Sequence, residues 1–363
     1  MIRVNENIEP IIPYKPGKPI EEVQKELGLK NIIKLASNEN NLGISTKIQS
    51  ALAAKLKDLY LYPDGAATEL RNKIATKTNL SADNIILGNG SDEILQLIAL
   101  AYLNAEDEVL ISEGTFSEYN FAAQLTNTKV IKVPLKNDTY SLPDFETKIT
   151  SKTKVIFLCN PNNPTGTYFN ESSLKFFLRA VPQNTLVVID EAYYEYVEAS
   201  DYPDSLSFLD KYPNIIILRT FSKIYALAAL RIGYGIASKE IITALNKARQ
   251  PFNANRLAQE AAILALDDQD HLKKSFQNNQ EGKKYFYQEL DKLNLEYLRT
   301  EANFVFIKLP VSGQILFDKF LKKGIIVRPM AGFGFPNAIR VTIGLPQENE
   351  QFFKEFKEIL SEI

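Results

Sequence analysis

The stretch TLVVIDEAY (185–193), read together with NIIILRTFSK (214–223), decides the fold. Each opens as an unbroken run of aliphatic residues and ends abruptly in groups that can do chemistry. A strand with one face in water alternates apolar and polar residues. An unbroken apolar run suits a strand covered on both faces, as in a parallel sheet between helix layers. Working outward, NIILG (84–88), EVLISE (108–113), KVIKVPL (129–135), KVIFLC (154–159) and IGYGIA (232–237) read as further strands. Segments with helical spacing lie between several of them. After Ser91, for example, Ile94, Leu97, Ile98 and Ala101 fall on one helix face. The alternation predicts an α/β large domain, a mostly parallel mixed sheet flanked by helices.

Toward the C-terminus the pattern changes. Residues 256–300 read as a long helical segment with a charged face. NFVFIKL (303–309) and AIRVTIG (338–344) read as strands around another helix, and QENEQFFKEFKEILSEI closes the chain as an amphipathic helix. This predicts a smaller α+β domain. The expected division is an N-terminal arm with part of the small domain over 1–35, a large domain over 36–250 and the small domain over 251–363. A chain of 363 residues exceeds what a single core usually reaches.

Composition narrows the function classes. At 45% hydrophobic and 24% charged the chain is ordinarily globular, and a net charge of -2 offers no basic footprint for nucleic acid. Cys159 is the one cysteine, so no intramolecular disulfide forms, which fits a reducing compartment. MIRVNENIEP lacks the apolar core of a secretory signal. The apolar runs, at about ten residues, are too short for a bilayer. A cytoplasmic chain without nucleic-acid or membrane partners is expected. The one histidine, His271, sits in polar DDQDHLKKSF, so no histidine cluster exists and no metal is expected.

Ligands of open parallel sheets bind beyond the carboxyl ends of the strands. NIILG is followed by Asn89-Gly90-Ser91-Asp92-Glu93 and a helix. KVIFLC is followed by Asn160-Pro161-Asn162-Asn163-Pro164-Thr165-Gly166. TLVVI ends in Asp190, with Tyr193 beyond, and NIIILR ends in Thr220-Phe221-Ser222-Lys223, with Arg231 eight residues later. Each group has a use if the ligand is an aromatic phosphate bearing a carbonyl. Gly90 lets backbone approach a phosphate, and the helix starting at Ser91 offers free N–H groups and a positive dipole end. Ser222 and Arg231 complete that cradle. Asp190 pairs with a ring nitrogen and keeps it protonated. Asn163 and Tyr193 suit a ring hydroxyl. The Lys223 amine bonds the carbonyl carbon, provided positive charge such as Arg231 lowers its pKa. Singly these signals are weak: a glycine turn is ordinarily only a turn, and a lone lysine is ordinarily solvated. Their joint order and spacing point to chemistry.

On these strings the chain resembles the fold-type I pyridoxal-phosphate aminotransferases over essentially its whole length. The matching residues are Asn163-Pro164-Thr165-Gly166, Asp190-Glu191-Ala192-Tyr193, and Ser222-Lys223 followed by Leu230-Arg231-Ile232-Gly233-Tyr234. Within that family it is similar to the histidinol-phosphate aminotransferases, on PYKPG (13–17), KLASNEN (34–40), LYPDG (61–65), GNGSDE (88–93) and RVTIG (340–344). The resemblance implies pyridoxal 5'-phosphate held covalently by Lys223, with Asp92 and Thr220 also among the cofactor contacts. It implies a homodimer, in which Tyr62 reaches the partner's cofactor phosphate. Phe116 is implied to stack on the cofactor ring, Arg340 to bind the substrate's anionic group and Arg328 to add a second anion contact. Tyr14 and Asn38 are implied to close the pocket from the N-terminal side. The implied reaction transfers an amino group from histidinol phosphate to 2-oxoglutarate, giving glutamate. Aromatic amino-acid aminotransferases share the catalytic strings, and the related threonine-phosphate decarboxylases are lyases, so the substrate stays open among these. No G-x-G-x-x-G turn opens the first strand–helix unit, which disfavours a nucleotide-binding oxidoreductase. Two positions depart from the family pattern: Asn41 where proline is usual, and Ala229 where glycine is usual.

Overall fold

A computed structural model describes residues 2–11, 13 and 18–362, which leaves Tyr14 outside the described residues. The chain enters through α1 (Ile20–Leu27), β1 (Ile33–Lys34), α2 (Thr46–Lys55) and α3 (Thr68–Thr78). Strands and helices then alternate: β2 (Ile85–Gly88), α4 (Ser91–Tyr102), β3 (Glu108–Ser112), α5 (Ser117–Leu125), β4 (Lys129–Val133), α6 (Leu142–Lys148), β5 (Thr153–Cys159), α7 (Glu171–Ala180) and β6 (Leu186–Asp190). There follow β7 (Ile215–Thr220), β8 (Gly233–Ala237), α8 (Lys239–Ala248), α9 (Arg256–Asp267) and α10 (Gln269–Lys292). The chain closes with β9 (Tyr297–Leu298), β10 (Phe304–Lys308), α11 (Gly313–Lys322), β11 (Ile325–Ile326), β12 (Arg328–Pro329), β13 (Ala338–Thr342) and α12 (Pro346–Ser361).

The large sheet runs β2-β8-β7-β6-β5-β3-β4. Strands β3 to β7 pair in parallel, and β8 is antiparallel to both its neighbours, β2 and β7. All seven apolar runs form strands, but the IGYGIA pattern gives no hint of this reversal. The cause is the connection. A parallel crossover needs a dozen or more residues, usually with a helix. The twelve residues 221–232 hold the Lys223 turn and one short 3-10 turn but no helix to cross a face of the sheet, so the chain doubles back. Every residue of β6, β7 and β8 is buried, as the unbroken runs predicted, whereas β4, at the edge, is partly exposed.

The smaller sheet is antiparallel, ordered β12-β13-β10-β9. Phe286, Phe320, Phe352, Phe353 and Phe356 from α10, α11 and α12 pack against it. Strand β1 pairs with β11, and Leu35 beside it lies in this smaller core. The cores divide the chain later than residue 250: Ala258, Ala261, Ala262, Ala265 and Leu266 of α9 belong to the larger core. The helical segment expected over 256–300 is broken at Asp268. Its side chain accepts from His271 N and so caps α10, while Ser45 and Lys47 hold the same carboxylate from the start of α2. Among the described residues no helix is long and apolar enough to cross a membrane.

Candidate active site

The turn from β2 into α4 makes an anion cradle. Gly90 adopts φ +80, and no side chain caps the helix that follows, so its first N–H groups stay available. Strand β8 lies hard against this turn, since a Cβ on Gly233 would sit 2.4 Å from Ser91 N. Arg231 donates from Nη1 to Ser222 Oγ at 3.3 Å and from Nη2 to Asp92 Oδ2 at 3.0 Å. A Cβ on Gly90 would come within 2.5 Å of Arg231 Nη2, so only glycine lets the guanidinium lie beside the helix start. Thr220 Oγ1 accepts from Ser222 N at 3.1 Å and sets the turn that carries Lys223.

Behind the cradle, Asp190 ends β6 almost wholly buried. Its Oδ2 accepts from the Tyr119 hydroxyl at 2.8 Å and its Oδ1 from Ala192 N at 3.2 Å. Burial pushes its pKa up to about 6. Phe116, preceding α5, meets Tyr119 edge to face. Asn163 Oδ1 accepts from Arg340 Nη1, and the Tyr193 hydroxyl accepts from Asn38 Nδ2 at 2.8 Å. Lys223 Nζ donates to Ser37 O at 3.4 Å and stands 5.6 Å from the centre of the Tyr193 ring. Burial first, and then the charge of Arg340, lower its pKa to about 8, against the opposing pull of Asp92 and Glu39. The expectation that Arg231 does this is corrected, because its effect is the smallest of these; it is turned toward Ser222 and Asp92.

One cavity of about 110 Å³ is lined by every cofactor contact expected from the sequence except Gly90 and Tyr62. Gly90 lies against Arg231, one of the lining residues. Tyr62 is 77% exposed, stacked on Phe252 at 4.7 Å among exposed Leu59, Tyr60 and Leu61, away from the cavity. Arg340 is buried beside the cavity and also donates to Ala36 O at 2.8 Å. Half-buried Arg328 is its register partner across β12 and β13, so both guanidinium-bearing residues share one sheet face. Asn38 is buried with φ +57. Of the departures, Asn41 bonds Glu348 Oε2 at 2.8 Å and Ala229 is exposed; neither lines the cavity. The sequence reading missed Cys159 and Ala192 in the lining, Tyr119 behind Asp190, and Thr342, which holds Asn38. Tyr119 reads in sequence as an ordinary core aromatic, and Thr342 as an ordinary strand residue.

Comparison with known proteins settles the family. A family model described as aminotransferase class I and II matches residues 30–355. The chain belongs to the class I and II aminotransferases. It is 49% identical to the histidinol-phosphate aminotransferase of Moorella thermoacetica, over 99% of this chain and 93% of that one. To that of Caldicellulosiruptor saccharolyticus it is 48% identical, over 98% and 99%. Among solved structures, the histidinol-phosphate aminotransferase of Sinorhizobium meliloti in complex with pyridoxal-5'-phosphate superposes with a TM-score of 0.92 at 26% identity, covering 100% of this chain and 98% of that one. The fold is shared with the L-threonine-O-3-phosphate decarboxylase of Porphyromonas gingivalis, TM-score 0.81 at 22% identity, over 91% and 100%.

The residues of this aminotransferase fit pyridoxal phosphate on their own chemistry. The cradle at α4 supplies N–H groups, a hydroxyl and a guanidinium for a phosphate. Asp190 is buried with two neutral hydrogen-bond donors, an arrangement that a protonated ring nitrogen completes. Lys223, with its lowered pKa, offers a nucleophilic amine between the two.

Proposed function

We propose that this aminotransferase moves an amino group between histidinol phosphate and 2-oxoglutarate, with pyridoxal phosphate attached to Lys223, in histidine biosynthesis. The observation that carries the chemistry is the convergence of Lys223, Asp190 and the N-terminus of α4 on one cavity. The choice of substrate draws support from the near full-length relatives that bear that name. The opposed pair Arg328 and Arg340 also supports it, since two guanidinium groups on one sheet face suit a phosphate.

Bound in the cavity, the cofactor supplies a carbonyl that bonds amines and a ring that withdraws electrons. Ser91 N–H, Ser222 and Arg231 would hold its phosphate, and Phe116 its ring face. Asp190 would keep the ring nitrogen protonated, while Asn163 and Tyr193 would bond the ring oxygen. With its pKa lowered to about 8, Lys223 is neutral in about a tenth of molecules at pH 7 and about half at pH 8, far more than an ordinary lysine, so its Nζ can take a proton from the substrate Cα and return it elsewhere. Arg340 and Arg328 would orient the substrate's anionic end. We propose a homodimer in which Tyr62, exposed on its own subunit, reaches the phosphate cradle of the partner.

A substrate panel on the purified enzyme tests this. Histidinol phosphate should be used with a higher kcat/KM than phenylalanine, with 2-oxoglutarate as acceptor and no carbon dioxide released. Lys223→Ala should lose turnover by at least about a thousandfold, together with the cofactor's lysine-bound absorbance. A preference for phenylalanine would move the assignment to aromatic substrates, and acceptor-independent carbon dioxide release would move it to a lyase. A fully active Lys223→Ala enzyme would overturn both the mechanism and the assignment.

A further inference from the structure

A hydroxyl has one proton to give, and this fixes the polarity of a buried chain of hydrogen bonds that starts in the small domain. Thr342, at the end of β13, is fully buried. Its Oγ1 accepts from Asn38 N at 2.9 Å and donates to Asn38 Oδ1 at 3.2 Å. With Oδ1 so engaged, the Asn38 amide turns Nδ2 toward Tyr193 and donates to its hydroxyl at 2.8 Å. Asn303 Nδ2 holds the Asn38 carbonyl at 3.0 Å, so the residue is gripped on three sides. Because the Tyr193 oxygen accepts here, its own proton is left for the cavity that Tyr193 lines. Two residues before Thr342 on the same strand face, Arg340 donates to Asn163 Oδ1, which orients that amide and leaves its Nδ2 protons for the cavity.

We propose that Thr342 is a positioning residue for the transfer reaction: through Asn38 it makes Tyr193 a proton donor toward the ring oxygen of the bound cofactor. The inference rests on reading this cavity as the pyridoxal phosphate site. Donors alone, facing one oxygen, favour that oxygen as an anion. Without the Thr342 hydroxyl the Asn38 amide is free to turn its oxygen to Tyr193. Tyr193 then donates to Asn38 and is lost to the cavity.

The test is an absorbance titration against pH of enzyme loaded with pyridoxal phosphate, for wild type, Thr342→Val, Thr342→Ser, Tyr193→Phe and the double variant Thr342→Val/Tyr193→Phe. Thr342→Val should raise the titration midpoint by about half a pH unit or more, since one net hydrogen bond is worth roughly fivefold. Thr342→Ser should restore the wild-type midpoint, because it keeps the hydroxyl. The double variant should shift no further than Tyr193→Phe, because Thr342 acts through Tyr193. Should Thr342→Val fail to fold, Thr342→Ala carries the same comparison. An unshifted valine variant, a serine variant as shifted as valine, or fully additive shifts would overturn the role of Thr342 while leaving the site assignment standing. A wild-type enzyme with no lysine-bound absorbance would overturn both.

Discussion

At the scale of single residues, burial moves two pKa values at the candidate site in opposite directions. Lys223 falls from 10.5 to about 8 because its charged form is poorly solvated and faces Arg340. Covalent capture needs the neutral amine, so borohydride trapping of pyridoxal phosphate on Lys223, read by mass spectrometry, should rise with pH through about 8. A midpoint near 10.5 would show an ordinary solvated lysine. Asp190 moves the other way, from 3.8 to about 6. In cofactor-free protein a raised carboxylate pKa means that the folded state binds more protons between those values. The stability this group contributes is therefore present below pH 3.8 and lost as pH rises through about 6. The loss is up to roughly 3 kcal/mol. Urea unfolding of cofactor-free Asp190→Asn against wild type should show the variant gaining relative stability between pH 4 and 7, and parallel pH profiles would refute this. With cofactor bound the ranking should reverse, as the ring cation offsets the buried charge.

At the scale of elements, the candidate phosphate cradle is built by two elements touching without side chains between them. Strand β8 approaches the start of α4 so closely that a Cβ on Gly233 would lie 2.4 Å from Ser91 N and 2.8 Å from Gly90 C. Those neighbours are backbone and cannot swing aside as a side-chain tip would. Gly233→Ala must therefore push α4 away from the sheet or bend β8. The expected cost is about 1–3 kcal/mol in stability, as for overpacking. Affinity for pyridoxal phosphate should fall at least about tenfold, because the N–H groups and Arg231 no longer converge. Equilibrium dialysis against the cofactor checks this, and unchanged affinity would mean that the cradle tolerates the displacement. The antiparallel setting of β8 is what brings Gly233 and Arg231 to the edge where the parallel strands end.

At the scale of the whole molecule, residues of the small sheet stand behind a cavity lined from the large one. Asn38 follows β1, which pairs with β11, Arg340 and Thr342 come from β13 of the small sheet, and Lys223, Asp190 and Asn163 stand at or just beyond strand ends of the large sheet. Tyr62 is exposed and stacked on Phe252, away from the cavity and from the residues that hold its lining. If it completes the partner's site, Tyr62→Ala and Lys223→Ala subunits should complement each other. Random reassociation gives half mixed dimers, each with one intact site of two, so about a quarter of wild-type activity should return. Restoration well below that value after verified subunit exchange would place Tyr62 outside the shared site.

The sequence alone determined the strands of the large sheet, because burial on both faces leaves an unbroken apolar run that survives without any tertiary information. It also picked out strand ends whose residues meet at one cavity, because polar and charged groups follow those runs directly in TLVVIDEAY and NIIILRTFSK. What only the tertiary structure decided are relations between residues far apart in the chain. Nothing local in IGYGIA encodes the reversal of β8, which follows from the lack of a crossover helix in its connection. Nothing near Asp190 announces Tyr119, seventy-one residues earlier, whose hydroxyl meets its carboxylate. Nothing near Tyr193 announces Asn38 or Thr342, since hydrogen-bond polarity is passed through contacts rather than along the chain. Lys223 shows the division within one residue. Its position after a buried strand was legible, but its lowered pKa was not, because that depends on burial and on Arg340, which reaches it only in the folded molecule.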